Sequence, residues 1–202
     1  MSSPPLWFPA ACLAVVLAAS VLRGVMLRRA GVRAYGFDHK GAIQAVSERF
    51  WKLAVGLLAA AALIAWLEPE IEPTLGRPAW SDMPTLRWIA AGVIALSTLL
   101  ILAAQAAMGA SWRVGVPAEG PGALVTSGLF ALSRNPVFVG MFGLALAMFL
   151  WSPTMLTAAL LPLAGSTMAM QVRIEEDALL AKHGEFYAAY QRRTPRWVWP
   201  LA

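Results

Sequence analysis

Long apolar runs separated by short polar segments dominate the hydropathy pattern of the chain. Three runs have about the 20 residues that a helix needs to cross a bilayer, and they cover residues 6–27, 50–67 and 86–108. Two shorter runs follow at 137–150 and 154–170, and only three residues join them. So short a link predicts an antiparallel helical hairpin, which either spans the membrane with strain or re-enters the same side.

The segments around this hairpin are more polar. Residues 109–135 are rich in glycine and proline, which favours a loop. Residues 171–190 place apolar side chains as a rough stripe among charged ones, which predicts an amphipathic helix. The pattern as a whole predicts an all-α polytopic membrane protein with about five transmembrane helices, the short C-terminal hairpin and a cytoplasmic amphipathic helix. We divide it into three N-terminal membrane helices (1–108) and a C-terminal region (109–202) of loop, helical hairpin and C-terminal helix.

Composition agrees with a chain that lies in lipid. Hydrophobic residues make up 59% of the sequence and charged residues 13%, about half of the roughly 25% that is typical of soluble domains. The net charge of +5 does not indicate nucleic acid as a partner, because the basic residues cluster at the membrane edges. The bilayer is therefore an expected partner, and the sequence leaves the oligomeric state open.

The distribution of arginine and lysine predicts the orientation. The segment between the first two apolar runs is strongly basic, and the segment between the second and third is acidic. The segment 109–135 and the tail are basic again. Since positively charged loops stay in the cytoplasm, we expect the N-terminus outside, five spans, and a cytoplasmic C-terminus.

Arg134, Asn135 and Pro136 stand at the start of the hairpin. Proline is favoured at the first position of a helix, and the free N–H groups of the first turn attract anions. With Arg134 beside them, these groups suit the carboxylate of a cofactor or substrate. The alternative is an interfacial arginine followed by a helix-capping asparagine.

Further candidate groups come from the hairpin and the tail. Gly140 permits close approach of a helix or a flat cofactor. Glu175 and Glu176 can hold nucleoside hydroxyls or orient a substrate, with Arg173 nearby, although a solvated helix start explains them equally well. Tyr187 and Tyr190, with His183 one turn before Tyr187, can stack an adenine or anchor the chain at the interface.

A metal site is not expected. His39 and His183 are far apart in the sequence and lack ligand spacing with any cysteine, whereas a catalytic zinc site takes about three protein ligands.

The order of these groups resembles the isoprenylcysteine carboxyl methyltransferase family of integral membrane enzymes, which is related to the phospholipid methyltransferases. The family's Arg-His-Pro-x-Tyr-x-Gly stretch corresponds to Arg134-Asn135-Pro136-Val137-Phe138-Val139-Gly140. Its glutamate pair corresponds to Glu175 and Glu176. Its tail corresponds to His183-Gly184-Glu185-Phe186-Tyr187-Ala188-Ala189-Tyr190 and Pro195-Arg196. The resemblance covers about half of the chain.

The resemblance implies an S-adenosylmethionine-dependent methyltransferase, with residues 109–202 as its cofactor-binding catalytic region. It implies the bilayer and a lipophilic small-molecule or lipid substrate as partners. It implies cofactor-binding roles for Arg134, Asn135, Pro136, Phe138, Gly140, Glu176, His183, Tyr187 and Tyr190. Two positions depart from the family pattern, since Asn135 replaces a histidine and Phe138 replaces a tyrosine. Asparagine does not titrate near neutral pH, so proton transfer at position 135 is not expected.

Arg173, Glu175 and Arg134 are the expected catalytic residues, the first two on the acceptor side. The acceptor is left as a carboxylate, such as an isoprenylcysteine-like group, or a lipid amine. One alternative is an NADPH-dependent sterol-type reductase, because several arginines could hold a 2′-phosphate. The other is a non-enzymatic membrane protein on the same scaffold.

Overall fold

The computed structural model describes residues 3–36, 42–117 and 119–198, so that His39 and Trp199 lie outside the described residues. In this part of the chain the regular secondary structure is helical, apart from one isolated β-bridge between Tyr35 and Val114. This confirms the all-α prediction. The helices are α1 (Phe8–Arg29), α2 (Ala42–Leu67), α3 (Pro84–Met108), α4 (Leu129–Leu132), α5 (Pro136–Trp151), α6 (Met155–His183) and α7 (Glu185–Arg193). Short 3₁₀ turns occupy Pro69–Leu75, Ala79–Asp82 and Gly109–Ser111.

Four helices are long and apolar enough to cross a membrane, namely α1, α2, α3 and α6. Helix α5 is also apolar but has only 16 residues, or about 24 Å at 1.5 Å per residue. These five helices correspond to the five apolar runs. The chain is therefore an integral, multi-pass membrane protein.

Two predicted boundaries differ from the structure. Helix α2 begins at residue 42 rather than 50, so its charged first turns were wrongly assigned to a loop. Helix α6 runs unbroken through the boundary predicted at 170/171 and has 29 residues. The break comes at Gly184, whose φ of +52° is favoured for glycine, and only residues 185–193 form a separate tail helix.

The predicted hairpin is present, and its turn is tightly hydrogen-bonded. The Thr157 hydroxyl donates to the Ser152 carbonyl oxygen at 2.7 Å and accepts from the Thr154 N–H at 3.0 Å. Trp151 is buried beside the turn. These bonds satisfy backbone groups that would otherwise be unpaired at the junction of α5 and α6.

Close packing of α5 on α3 forms the centre of the bundle. A Cβ atom placed on Gly140 would lie 2.6 Å from Ile101 Cγ1 and 3.0 Å from the Ser97 carbonyl oxygen. Only glycine permits this approach, which is how small residues bring helices together in lipid. The start of α5 is thereby fixed against α3, next to the tail that carries the candidate site.

Candidate functional site

A buried charge cluster joins the start of α5, the C-terminal part of α6 and the tail. Glu176 is 5% exposed and accepts hydrogen bonds from two guanidinium groups. Arg134 donates through Nε and Nη2 to Oε1 at 3.0 and 2.9 Å, and Arg196 donates through Nη2 to Oε2 at 2.7 Å. The hydrogen bond to Glu176 raises the pKa of Arg196. The cluster therefore fastens the tail against the membrane helices.

Arg134 makes further bonds to the tail. Its Nη1 donates to the carbonyl oxygens of Gln191 and Thr194 at 3.0 and 2.7 Å, and its backbone N–H donates to the Pro195 carbonyl oxygen. Four of the five N–H groups of a guanidinium are thus used within the protein. Arg134 has one N–H left for a ligand, so its main role in this structure is to hold the tail in place.

Asn135 also holds the tail, because its Nδ2 donates to the Arg196 carbonyl oxygen at 3.1 Å. Its side chain makes no capping bond to α5, so the alternative interpretation of Asn135 as a helix-capping residue is wrong. The first N–H groups of α5, on Val137 and Phe138, therefore remain as an anion-attracting helix end.

A first cavity of about 820 Å³, measured to its open mouth, lies beside this cluster. Several predicted site residues line it together, namely Arg134, Asn135, Pro136, Phe138, Glu175, Tyr187 and Tyr190. The rest of its wall includes Arg113, Phe130, Leu179 and residues 121–125.

Aromatic rings form one wall of the first cavity. The rings of Tyr187 and Tyr190 lie 6.0 Å apart at 56°, and the Tyr190 hydroxyl donates to the Phe130 carbonyl oxygen. Burial raises the pKa of Tyr190 to about 12, so the hydroxyl stays neutral. A flat base fits such faces, and a carboxylate fits the start of α5, so these residues suit S-adenosylmethionine.

Four predicted residues do not line the first cavity. Gly140 packs on α3, and Glu176 is occupied by its two arginines. The Nε2 of His183 lies 3.1 Å from the Gly122 carbonyl oxygen and braces the loop that forms part of the wall. Arg173 is exposed on α6 and lines neither this cavity nor the next one, so its catalytic role stays a prediction.

A second, larger and mostly apolar cavity of about 1510 Å³ adjoins the first. Side chains of α1, α2, α3, α5 and α6 line it. Six residues line both cavities and form what we call the junction, namely Met108, Arg113, Gly115, Val137, Phe138 and Glu175. The first cavity, which the charged groups of the tail border, and the second, apolar cavity among the membrane helices therefore meet at the junction.

A third cavity, almost entirely apolar, extends the second one deeper among α1, α2, α5 and α6. Val16, Leu17, Trp51, Val55 and Met141 line both. Together the second and third cavities offer a continuous apolar surface on which an aliphatic chain can bind.

Glu175 is the acidic residue of the junction. The Ser47 hydroxyl donates to Gln171 Oε1 at 2.8 Å, and Gln171 Nε2 donates to Glu175 Oε1 at 2.9 Å. Ser47 and Gln171 are buried. Across the described ranges, no lysine or arginine forms an ion pair with Glu175. The carboxylate is thus held by a neutral partner and remains available to a cation in either cavity.

The adjacent glutamates therefore differ in function. Glu176 is used for structure, whereas Glu175 is fixed in place but electrostatically unpaired. Sequence reasoning missed Ser47 and Gln171, and the position of Gln171 one helical turn before Glu175 was the available signal.

The comparisons with known proteins identify one family. The model of the phospholipid methyltransferase family (PEMT) matches residues 85–185, half of the chain, from α3 to the first residue of α7. This family is related to the isoprenylcysteine enzymes that the motifs resemble. No curated protein matches the chain.

Proposed function

The chain belongs to the phospholipid methyltransferase family of S-adenosylmethionine-dependent enzymes, and on this premise we propose that it methylates the amine of a membrane phospholipid. The choice of acceptor rests on one observation. The carboxylate of Glu175, which forms no ion pair with a described residue, lines both cavities. A carboxylate there attracts an ammonium group and repels a second carboxylate. An amine is therefore favoured over an isoprenylcysteine-like acid, while the family assignment leaves no support for the reductase and non-enzymatic alternatives.

The cofactor occupies the first cavity in this proposal. S-adenosylmethionine supplies an electrophilic methyl group on its sulfonium. The start of α5 at Pro136, with the remaining N–H of Arg134, holds its carboxylate, and Tyr187 and Tyr190 face its adenine. The described lining of this cavity lies between residues 108 and 190, which supports a cofactor-binding region in the C-terminal half.

Glu175 prepares the acceptor amine. An alkyl ammonium group has no lone pair with which to attack a methyl group, so it must first lose a proton. Glu175 accepts that proton and keeps the nitrogen at the junction, while Gln171 and Ser47 hold the carboxylate in position. A correctly placed general base contributes about 10²- to 10⁴-fold in rate.

The lipid enters from the cytoplasmic leaflet in this proposal. The exposed basic residues Arg28 and Arg29 end α1, and exposed Arg33 follows it. Basic segments remain cytoplasmic. This orientation brings the cytosolic cofactor and the lipid headgroup to the same membrane face.

The test is methyl transfer from labelled S-adenosylmethionine to phosphatidylethanolamine in reconstituted vesicles. We expect methylated lipid, and a loss of turnover of about 10²- to 10⁴-fold in Glu175→Gln with S-adenosylhomocysteine binding retained. Asp177→Asn, an exposed acid two residues later in the same helix, is the matched control and should keep wild-type turnover. Absence of lipid methylation, or full activity of Glu175→Gln, would contradict the proposal.

A further inference from the structure

Arg113 is the basic residue of the junction whose guanidinium is not fully used. Its Nη1 donates to the carbonyl oxygens of Ala110 and Trp112 at 2.6 and 2.8 Å. Of five N–H groups, these bonds use two. Within the described part of the chain the other three, on Nε and Nη2, have no hydrogen-bond or ion-pair partner.

Among the residues that the structure describes, no acidic side chain forms an ion pair with this guanidinium. Glu119 is the acid whose charge acts on Arg113, but its carboxylate is exposed and lies 3.7 Å from Arg33. Glu175 lines the same junction and forms no ion pair with Arg113. Burial lowers the pKa of Arg113, which is the expected effect of desolvating a cation without an anion beside it.

The other cation of the second cavity is already paired. Lys52 lines that cavity, but its ammonium lies 2.5 Å from the Glu48 carboxylate, and its side chain is 71% exposed. Arg113 is half-buried, with its terminal nitrogen fixed by two carbonyl oxygens. The fixed arginine is therefore the better candidate for an anion that enters the junction.

Two fixed and opposite charges, neither of them in an ion pair within the described part of the chain, thus line one junction. A ligand that satisfies both carries an anion and a cation a short distance apart, together with an apolar part for the second cavity. The planar guanidinium binds phosphate oxygens through two parallel N–H groups.

We infer that Arg113 binds the phosphate of the acceptor's headgroup while Glu175 receives its ammonium group, an inference that rests on the proposed function. Arg113 is then a specificity-determining residue. It selects lipids in which a phosphodiester and an amine are joined by a short linker, and it disfavours lipophilic amines that lack a phosphate.

The first test measures binding without turnover. Phosphatidic acid and diacylglycerol with the same acyl chains are titrated into the detergent-solubilised, S-adenosylhomocysteine-loaded protein, and fluorescence is followed from Trp51 and Trp112, which line the cavity. We expect the wild type to bind phosphatidic acid about 10- to 100-fold more tightly than diacylglycerol, as hydrogen bonds to charged groups imply. Arg113→Gln should lose this preference, and Arg113→Lys should keep part of it.

Arg49→Gln is the matched control, because Arg49 is an exposed arginine on α2 that lines neither the first nor the second cavity. This variant should behave like the wild type. The second test is kinetic, and in it Arg113→Gln should raise KM for phosphatidylethanolamine about 10- to 100-fold with little change in kcat.

The outcomes separate the two proposals. Equal preference for phosphatidic acid in Arg113→Gln and the wild type overturns the role of Arg113, whether or not the enzyme methylates lipid. An Arg113-dependent preference without any methylation of phosphatidylethanolamine supports the phosphate site and overturns the proposed acceptor. If Arg113→Gln no longer binds S-adenosylhomocysteine, the Arg113→Lys variant replaces it in both tests. Lysine cannot form two parallel hydrogen bonds to a phosphate. An Arg113→Lys variant with the KM and the phosphatidic acid binding of the wild type would therefore overturn the inference.

Discussion

Replacing Glu176 with glutamine should destabilise the protein and impair the cofactor site, although the two side chains have almost the same shape. Glu176 accepts five hydrogen bonds from Arg134 and Arg196. Glutamine leaves one acceptor oxygen and no charge. Two guanidinium groups would then share a site with no anion.

The magnitude follows from burial. The side chains of Arg134 and Glu176 are 10% and 6% exposed, and breaking a buried ion pair costs about 3–5 kcal/mol. Arg196 is 39% exposed and adds little, because solvent screens the exposed part of the interaction. A loss of about 3–5 kcal/mol lowers the melting temperature of a chain of this size by on the order of 10 °C.

Thermal unfolding of Glu176→Gln in detergent, followed by tryptophan fluorescence, measures this loss, and titration with S-adenosylhomocysteine measures the cofactor site. Glu175→Gln is the matched control, since the neighbouring carboxylate accepts its bond from a neutral amide and should change the melting temperature little. Equal melting temperatures for the two variants would refute the assignment of Glu176 to structure and Glu175 to chemistry.

Two further substitutions test the packing and the apolar cavities. Gly140→Ala should lose about 1–2 kcal/mol in unfolding titrations, because overpacking against Ile101 and the Ser97 carbonyl costs about 1–3 kcal/mol and exceeds the gain in helix propensity of up to about 1 kcal/mol. Gly92→Ala, with nothing within 4 Å of its added Cβ, should not be destabilised, and an equal loss in both would exclude the proposed clash. Val55→Trp should fill the passage between the second and third cavities and lower kcat/KM about tenfold for long-chain phosphatidylethanolamine but less for short-chain lipid. Leu53→Trp, on the lipid-exposed side of α2, should show no such dependence on chain length.

Hydropathy was sufficient to locate the membrane helices, because lipid requires an almost continuous apolar surface. Hydropathy could not locate the start of α2 or the end of α6. Ser47 and Gln171 are polar, yet they lie inside α2 and α6 because they hydrogen-bond each other across the helices. A helix whose polar residues are satisfied by another helix continues past the point at which its hydrophobicity ends.

The site was predicted in part, for a similar reason. The motifs predicted that Arg134, Phe138, Tyr187 and Tyr190 belong to one site, and all four line the first cavity. The use of Arg134 within the protein could not be predicted, since its partners lie 42 to 60 residues later in the chain. For Arg113 the sequence leaves two interpretations, a residue that reaches the cofactor and one that marks the membrane surface, because the segment after α3 has no periodic pattern that would indicate its return to the cavity.

The bonds of Arg134 also determine when the site can form during synthesis. All its side-chain acceptors, on Glu176, Gln191 and Thr194, are translated after it, and Arg196 follows them. At roughly 5–20 residues per second, the ribosome makes this last stretch several seconds after the arginine. During that interval the hairpin can insert, but the first cavity has no tail to close it. Cofactor binding therefore requires translation at least to residue 196, so the first cavity forms later than the membrane hairpin beside it.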